Sequence, residues 1–240
     1  MFLEVVREWL CPNKCIVCRS FIEENSGVGL CLHCEEALLE RNLCPRCGKP
    51  YGVDSSVCSY CNEVPRGVTR IVALFPYVDF YKESVLRWKY TGIRKYAKGY
   101  SVLMANLIQR EHLDIDCLIP VPIARHRYFE RGFNQAFDLA EELSNYTSIP
   151  VLELLERAYD TKPQSACKKE ERAKNIHKAI RVKEDTKQDL QIEGNVPINI
   201  ALIDDIYTTG STVAECIRAL KQETSIQIQD IYVLTVCLAI

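Results

Sequence analysis

The sequence predicts an open, mostly parallel α/β sheet flanked by helices, with a small metal-stabilised module in front of it. Three observations carry this prediction. Nine of the 13 cysteines fall before residue 62. From residue 65 onward, short apolar runs alternate with stretches of helical periodicity, the pattern of strands and crossover helices. One of these runs, INIALI at 198–203, is apolar throughout, as a strand covered on both faces must be.

The cysteines define the front module, residues 1–64. Eight of them form four Cys-x-x-Cys pairs: Cys15/Cys18, Cys31/Cys34, Cys44/Cys47 and Cys58/Cys61. Two-residue spacing lets both thiolates of a knuckle reach one ion, and two knuckles complete a tetrahedral Zn²⁺ site. Gly48, directly after Cys47, suits the tight turn of a knuckle. Sequential pairing gives one ion to Cys15, Cys18, Cys31 and Cys34 and a second to Cys44, Cys47, Cys58 and Cys61. An interleaved pairing fits the spacing too, so one or two ions are expected. Closed four-cysteine sites are structural, and so short a segment needs metal to fold. A disulfide scaffold is the competing reading. It demands an oxidising compartment, and the first residues, MFLEVVREWLCPNKC, place Glu4, Arg7 and Glu8 where a secretory signal needs an uninterrupted apolar run. A cytoplasmic location is therefore expected. No apolar run is long enough to predict membrane insertion. Cys11, Cys117, Cys167, Cys216 and Cys237 are left over, and three of the last four have the apolar neighbours of core residues.

Residues 65–240 form the second domain. Pro65 and Gly67 mark the break, and VTRIVALFPYV reads as its first strand. Tyr81, Val85 and Trp88 recur at helical spacing, followed by KYTGIRKY. Leu103, Met104, Leu107 and Ile108 predict a second helix ending near His112. CLIPVPI (117–123) is a short strand with a proline stop, and Phe133, Phe137, Ala140 and Leu143 line an amphipathic helix. VLELLERA (151–158) fits strand or helix equally. After INIALI and a turn, Val213, Ile217 and Leu220 share a helical face, and IYVLTVCLAI is the last strand. The 48% hydrophobic and 26% charged composition excludes a disordered chain, and a net charge of -2 gives no overall affinity for polyanions. Locally, Lys162 to Lys183 carries eight Lys or Arg against two Glu, either a solvated face or a basic patch.

ALIDDIYTTGST, 201–212, holds the chemistry. A buried strand ends in Asp204 and Asp205, and Thr208, Thr209, Gly210, Ser211 and Thr212 follow. In an open α/β sheet the carboxyl ends of strands carry the ligand. Backbone N–H groups of such a loop, with a helix N-terminus behind them, cradle a phosphate, while Gly210 permits close approach and the hydroxyls add donors. Thr212 and Glu215 have the spacing of a capping box. The two carboxylates repel phosphate, so they must face sugar hydroxyls or a divalent cation. Strand, acidic pair and hydroxyl loop together suit a ribose 5-phosphate group.

IDDIYTTGST resembles the phosphoribosyl pyrophosphate motif of type I phosphoribosyltransferases. With the Cys-x-x-Cys pairs, WKYTG, IPVPIARHRYFERGFNQA and TKPQSACKKEERAKNI, the chain is identified as resembling the ComF family, bacterial late-competence proteins related to amidophosphoribosyltransferases. The resemblance implies a type I phosphoribosyltransferase-like fold. It implies that Asp204 and Asp205 hold the ribose hydroxyls, that 208–212 hold the 5-phosphate, and that Pro122 to Gly132 is a pyrophosphate loop. Arg125, His126, Arg127 and Arg131 are the partners it offers to pyrophosphate oxygens. Lys89 and Tyr90 lie in a string shared with the family. Gln164 to Asn175 takes the position of a flexible lid, where Lys168, Lys169, Arg172 and Lys174 bring positive charge to departing pyrophosphate. Residues 68–80 and the C-terminal strand take the place of the hood that forms the acceptor pocket. Mg²⁺ is expected with phosphoribosyl pyrophosphate, and Asp204, Asp205 and Arg131 form the expected catalytic group.

Two functions are compatible with this. One is phosphoribosyl transfer to an unidentified acceptor. The other is a competence factor that handles single-stranded DNA, with a helicase-like companion, and keeps phosphoribosyl pyrophosphate binding as a sensor or vestige.

Overall fold

The computed structural model describes residues 14–22, 29–39, 43–50, 58–158, 178–184, 186, 197–222 and 227–240. Arg172 and the rest of the lid segment 164–175, together with Cys11 and Cys167, lie outside the described residues.

After helix α1 (Leu32–Leu39) and a short 3-10 turn (Ser59–Glu63), the chain runs β1 (Arg70–Pro76), α2 (Asp79–Thr91) and α3 (Lys95–Arg110). It continues through β2 (Cys117–Pro120), α4 (Arg125–Arg131), α5 (Gln135–Thr147), β3 (Leu155–Arg157) and β4 (Ile180–Val182). It closes with β5 (Ile198–Tyr207), α6 (Ser211–Gln222) and β6 (Ile228–Leu238). Four strands form one parallel sheet in the order β1-β6-β5-β2. The ambiguous 151–158 segment resolves as strand: β3 pairs antiparallel with β4 in a small second sheet.

Side chains alternate across the parallel sheet into two cores. Leu74, Leu118, Ala201, Ile203 and Leu234 face Trp88, Tyr100, Leu139 and Leu143 of the helices on one side. Ile71, Ile119, Ile200, Leu202 and Val233 face Val213, Cys216, Ile217 and Leu220 of α6 and the β3–β4 pair on the other. Burial on both faces is why INIALI shows no alternation. Cys117, Cys216 and Cys237 are core residues as expected, and burial pushes the Cys117 thiol up to about 12, leaving it unreactive.

The cysteine-rich module shares this core. Cys15, Ile16, Val17, Leu30 and Cys34 pack in the same cluster as Trp88 and Tyr100. The Arg87 guanidinium donates to the Val17 carbonyl (2.7 Å), and the Ser84 hydroxyl to that of Ile16. The Cys44/Cys47 knuckle covers the outer edge of the sheet, where the Ile71 amide donates to the Arg46 carbonyl at 2.8 Å. Gly48 has φ +70°, and a Cβ there would lie 2.8 Å from the Ile71 carbonyl oxygen, so glycine serves both turn and close approach. An edge strand of a sheet exposes unpaired backbone groups, and the knuckle covers this one.

The two segments expected to form the hood lie mostly in the sheet. Residues 70–76 and the C-terminal strand are neighbours in the central sheet, β1 and β6, and their side chains are largely buried. Tyr77, directly after β1, is the residue of these two segments that lines the cleft described below. No helix among the described residues is long and apolar enough to cross a membrane.

Candidate ligand cleft and zinc centres

The cysteines resolve into two sets. Cys15, Cys18, Cys31 and Cys34 form one, and Cys44, Cys47, Cys58 and Cys61 the other, with the sulfur atoms of each set within 4.8 Å of one another. Sequential pairing is therefore the arrangement, and the interleaved alternative falls. Sγ–Sγ distances of 3.5 Å for Cys18–Cys31, Cys44–Cys61 and Cys47–Cys58 approach the edge of a tetrahedron with 2.3 Å Zn–S bonds, about 3.8 Å. The Cys15/Cys18 and Cys44/Cys47 knuckles repeat one backbone design. The Cys15 and Cys44 amides donate to the carbonyls of Ser20 and Lys49, five residues on, and the residue after the second cysteine is left-handed in both, Arg19 and Gly48. The donor sets fit Zn²⁺ in closed, structural sites.

The second site begins where β2 stops. Pro120 pairs with Ile203, and the Val121 amide donates to the Ile203 carbonyl (2.9 Å). Pro122 then diverts the chain. β5 continues to Tyr207, longer than its apolar run, because β6 keeps pairing with it through Leu238. The last residues of β5, beyond Ile203, thus have a neighbouring strand on one side only. On the other side lies a cleft of about 380 Å³ that carries Asp204, Asp205, Thr208 and Thr212 on one wall. Lys89, Arg127, Arg131 and Arg157 line the same cleft.

Each wall is held by identifiable contacts. Lys89 sits in the last turn of α2, next to fully buried Trp88, and its ammonium lies 2.8 Å from Asp205 Oδ2. The Asp205 amide donates to Asp204 Oδ1 at 2.8 Å. Loss of solvent around Asp204, reinforced by the Asp205 charge, pushes its carboxyl up to about 7 against the pull of Lys89. Arg131 donates to Gln135 Oε1 (3.0 Å) and lies over the Tyr90 ring, 5.2 Å from its centroid. Arg131 Nε and Gln135 Nε2 are buried without a protein acceptor.

RGFNQA now has a physical role. Asn134 caps α5, accepting from the Ala136 amide (3.1 Å), while its amide nitrogen donates to the Val121 carbonyl (3.2 Å). One side chain ties the start of α5 to the end of β2 and fixes the loop between them.

The hydroxyl loop differs in one respect from the expected capping box. α6 starts at Ser211, with the Gly210 carbonyl accepting from the Ala214 amide (2.8 Å). Glu215 does not reach back; it is buried and pairs with Arg218 at 2.7 Å. Gly210 has φ +74°, and a Cβ there would collide with the Tyr207 hydroxyl and lie 2.9 Å from Pro65. The Thr209 and Ser211 hydroxyls are 2.9 Å apart.

Of the residues picked from the sequence, Asp204, Asp205, Thr208, Thr212, Lys89, Arg127 and Arg131 meet at the cleft. Thr209, Gly210 and Ser211 connect the Thr208 side of that wall to α6. Arg125 instead lines a neighbouring hollow of about 560 Å³, with Tyr128, Phe129 and Arg94. Arg157 was missed. Its Nε donates to the Pro122 carbonyl (3.3 Å), and it reaches the cleft from β3, a strand whose pairing is not local and left no signal in the sequence. Of the three cations of the basic stretch that are described, Lys178, Arg181 and Lys183, two are neutralised locally: Arg181 pairs with Glu156 (2.7 Å) and Lys183 with Glu153 (2.8 Å).

The acidic pair is a poor seat for a resident Mg²⁺. One Asp205 oxygen is taken by Lys89 and one Asp204 oxygen by a backbone amide, and the only clusters of three or more metal-type donors among the described residues are the two cysteine sets.

Comparison with known proteins agrees with both centres. Residues 6–63 match the model of the double zinc ribbon domain family. Competence protein ComFC of Bacillus subtilis is 34% identical over 209 residues, covering 81% of this chain and 78% of that protein. DNA utilization protein YhgH of Salmonella typhi is 28% identical over 225 residues (91% and 95%), and Competence protein F of Haemophilus influenzae 26% over 217 (87% and 91%). With two cysteine centres, a parallel sheet and a relative of this identity spanning most of both chains, the protein belongs to the ComF family of competence proteins.

Proposed function

We propose that the cleft binds the ribose 5-phosphate end of a phosphoribosyl ligand, phosphoribosyl pyrophosphate foremost, in the service of DNA uptake and use. One observation supports the ligand above all: the acidic pair and the hydroxyl loop at the end of β5 open onto the same cleft as four cationic side chains. Carboxylates accept from sugar hydroxyls, the start of α6 offers amides to a phosphate, and Arg127, Arg131 and Arg157 complement further phosphate oxygens. Buried donors on Arg131 and Gln135 without a protein acceptor add capacity on that wall. The relatives' names, competence protein and DNA utilization protein, support the biological setting.

Transfer of the phosphoribosyl group is the first reading of the activity. A nitrogen nucleophile forms a bond to C1 of the ribose as the C1–oxygen bond breaks and pyrophosphate leaves with the electron pair. Asp204 and Asp205 hold the sugar, and Arg131 stabilises charge growing on the leaving oxygens. Mg²⁺, where it takes part, would arrive on the pyrophosphate and neutralise it.

The second reading, a non-catalytic DNA-handling factor with the ligand as a signal, is favoured by the face of α4. Phe129 is 85% and Tyr128 50% exposed, beside Arg125 and Arg127. Aromatic rings among arginines suit stacking and backbone contacts with single-stranded DNA. A helicase-like companion is what the family resemblance implies.

Isothermal titration with phosphoribosyl pyrophosphate and Mg²⁺, followed by a pyrophosphate-release screen across nucleobases and amines, separates the readings. Release with one acceptor establishes transfer. Binding without release, with single-stranded DNA binding that weakens steeply with salt, establishes the second. Absence of binding refutes the ligand.

A further inference from the structure

Resting on the ribose-phosphate reading above, we infer that the Lys89 ammonium is the resident counter-cation of the acidic pair, so that ribose 5-phosphate binds this cleft without a divalent metal ion. Lys89 is placed for this by the packing of α2. Val85 and Trp88 are fully buried, which fixes the rotation of the helix and aims its last turn at the end of β5. The Lys89 and Asp205 side chains are only 12% and 15% exposed, and their charged atoms are 2.8 Å apart. A pair so enclosed is screened by salt far less than a surface pair. A lysine in a last helical turn also lies at the negative end of the helix dipole, which favours its charge there.

The electrostatic task of a metal ion at such a site is to let two adjacent carboxylates and an anionic ligand share one cleft. Here the protein performs it with its own groups. Lys89, Arg127, Arg131 and Arg157 stand against Asp204 and Asp205, leaving an excess of positive charge for a phosphate dianion. The remaining carboxylate oxygens can accept from sugar hydroxyls while the ammonium stays in place. Mg²⁺ favours near-octahedral oxygen ligation and gives up its water reluctantly, and displacing Lys89 to admit it would break an enclosed ion pair.

The test is isothermal titration of ribose 5-phosphate into the zinc-loaded full chain dialysed against metal-free buffer, then with millimolar MgCl₂. Ribose 5-phosphate is the probe because it lacks the pyrophosphate that carries its own metal. The expected result is the same affinity in both buffers within about twofold, about 0.4 kcal/mol. Lys89→Met loses about tenfold or more in metal-free buffer, and Mg²⁺ restores part of it. Lys89→Arg, which keeps the charge and the fold, stays closer to the unmodified protein. Binding that is tenfold stronger with Mg²⁺ overturns the inference while the ribose-phosphate reading stands. So does Lys89→Met that unfolds at the unmodified temperature and binds equally well. Failure to bind in either buffer removes the ribose-phosphate reading, and this inference with it.

Discussion

Replacing Asn134 with alanine removes two hydrogen bonds that join the sheet to the site. Loss of the cap on α5 costs about 1 kcal/mol, and loss of the bond to the Val121 carbonyl about another 1 kcal/mol. The two bonds share one side chain, so the sum of about 2 kcal/mol holds only if both are formed together. In a domain of this size that corresponds to a fall in melting temperature of about 4–8 °C. Asn134→Ser separates the halves, because serine keeps the cap and cannot span to Val121; it should lose about 1 kcal/mol. The assay is urea unfolding followed by circular dichroism, in parallel with titration of ribose 5-phosphate. Affinity should fall in both variants, since the loop carrying Arg127 and Arg131 is no longer tied to the end of β2. Serine and alanine variants of equal stability, with affinity untouched, would refute the claim that Asn134 couples the fold to the site.

Four further outcomes are expected. Metal analysis should find two Zn²⁺ per chain. Cys34→Ser should lower the melting temperature more than Cys58→Ser, because Cys34 lies in the main core and Cys58 is only partly buried, a ranking that thermal scans check directly. Gly210→Ala should abolish ribose 5-phosphate binding and destabilise by about 1–2 kcal/mol from the left-handed backbone alone, before the collision with Tyr207 and Pro65 is counted; unchanged unfolding would contradict the described turn. For Asp204, the carboxyl sits at about 7 in the folded protein against an ordinary 3.8, so between those values the folded state keeps a proton that the unfolded chain has lost. Rising pH across that window therefore costs stability. The stability difference between Asp204→Asn and the unmodified protein should grow in favour of asparagine from pH 4 to 7, and a flat difference would contradict the assignment.

The sequence was most readable where a local rule and the tertiary structure agree. Cys-x-x-Cys spacing is dictated by the size of a metal ion, so all eight ligands were visible, whereas which knuckles share an ion depends on the fold and was open. INIALI announced a buried strand, yet its true end at Tyr207 is set by pairing with β6, which no local window contains. VLELLERA was undecidable because its partner, Ile180–Val182, lies more than twenty residues away, and Arg157 stayed hidden with it. The Glu215 spacing suggested a cap, but a buried carboxylate beside Arg218 gains more from an ion pair than from reaching back along the helix. Most of 68–80 and of the C-terminal strand is committed to the sheet, and of the two segments it is Tyr77, just past β1, that reaches the cleft.

The arrangement at the end of β5 is tested most directly by diffraction from crystals of the protein soaked in ribose 5-phosphate. The phosphate should lie against the backbone amides that open α6, with the sugar hydroxyls on Asp204 and Asp205 and the Lys89 ammonium still beside Asp205. A phosphate lodged on α4 with the sugar turned away from the acidic pair, or no ligand in the cleft at all, would contradict it.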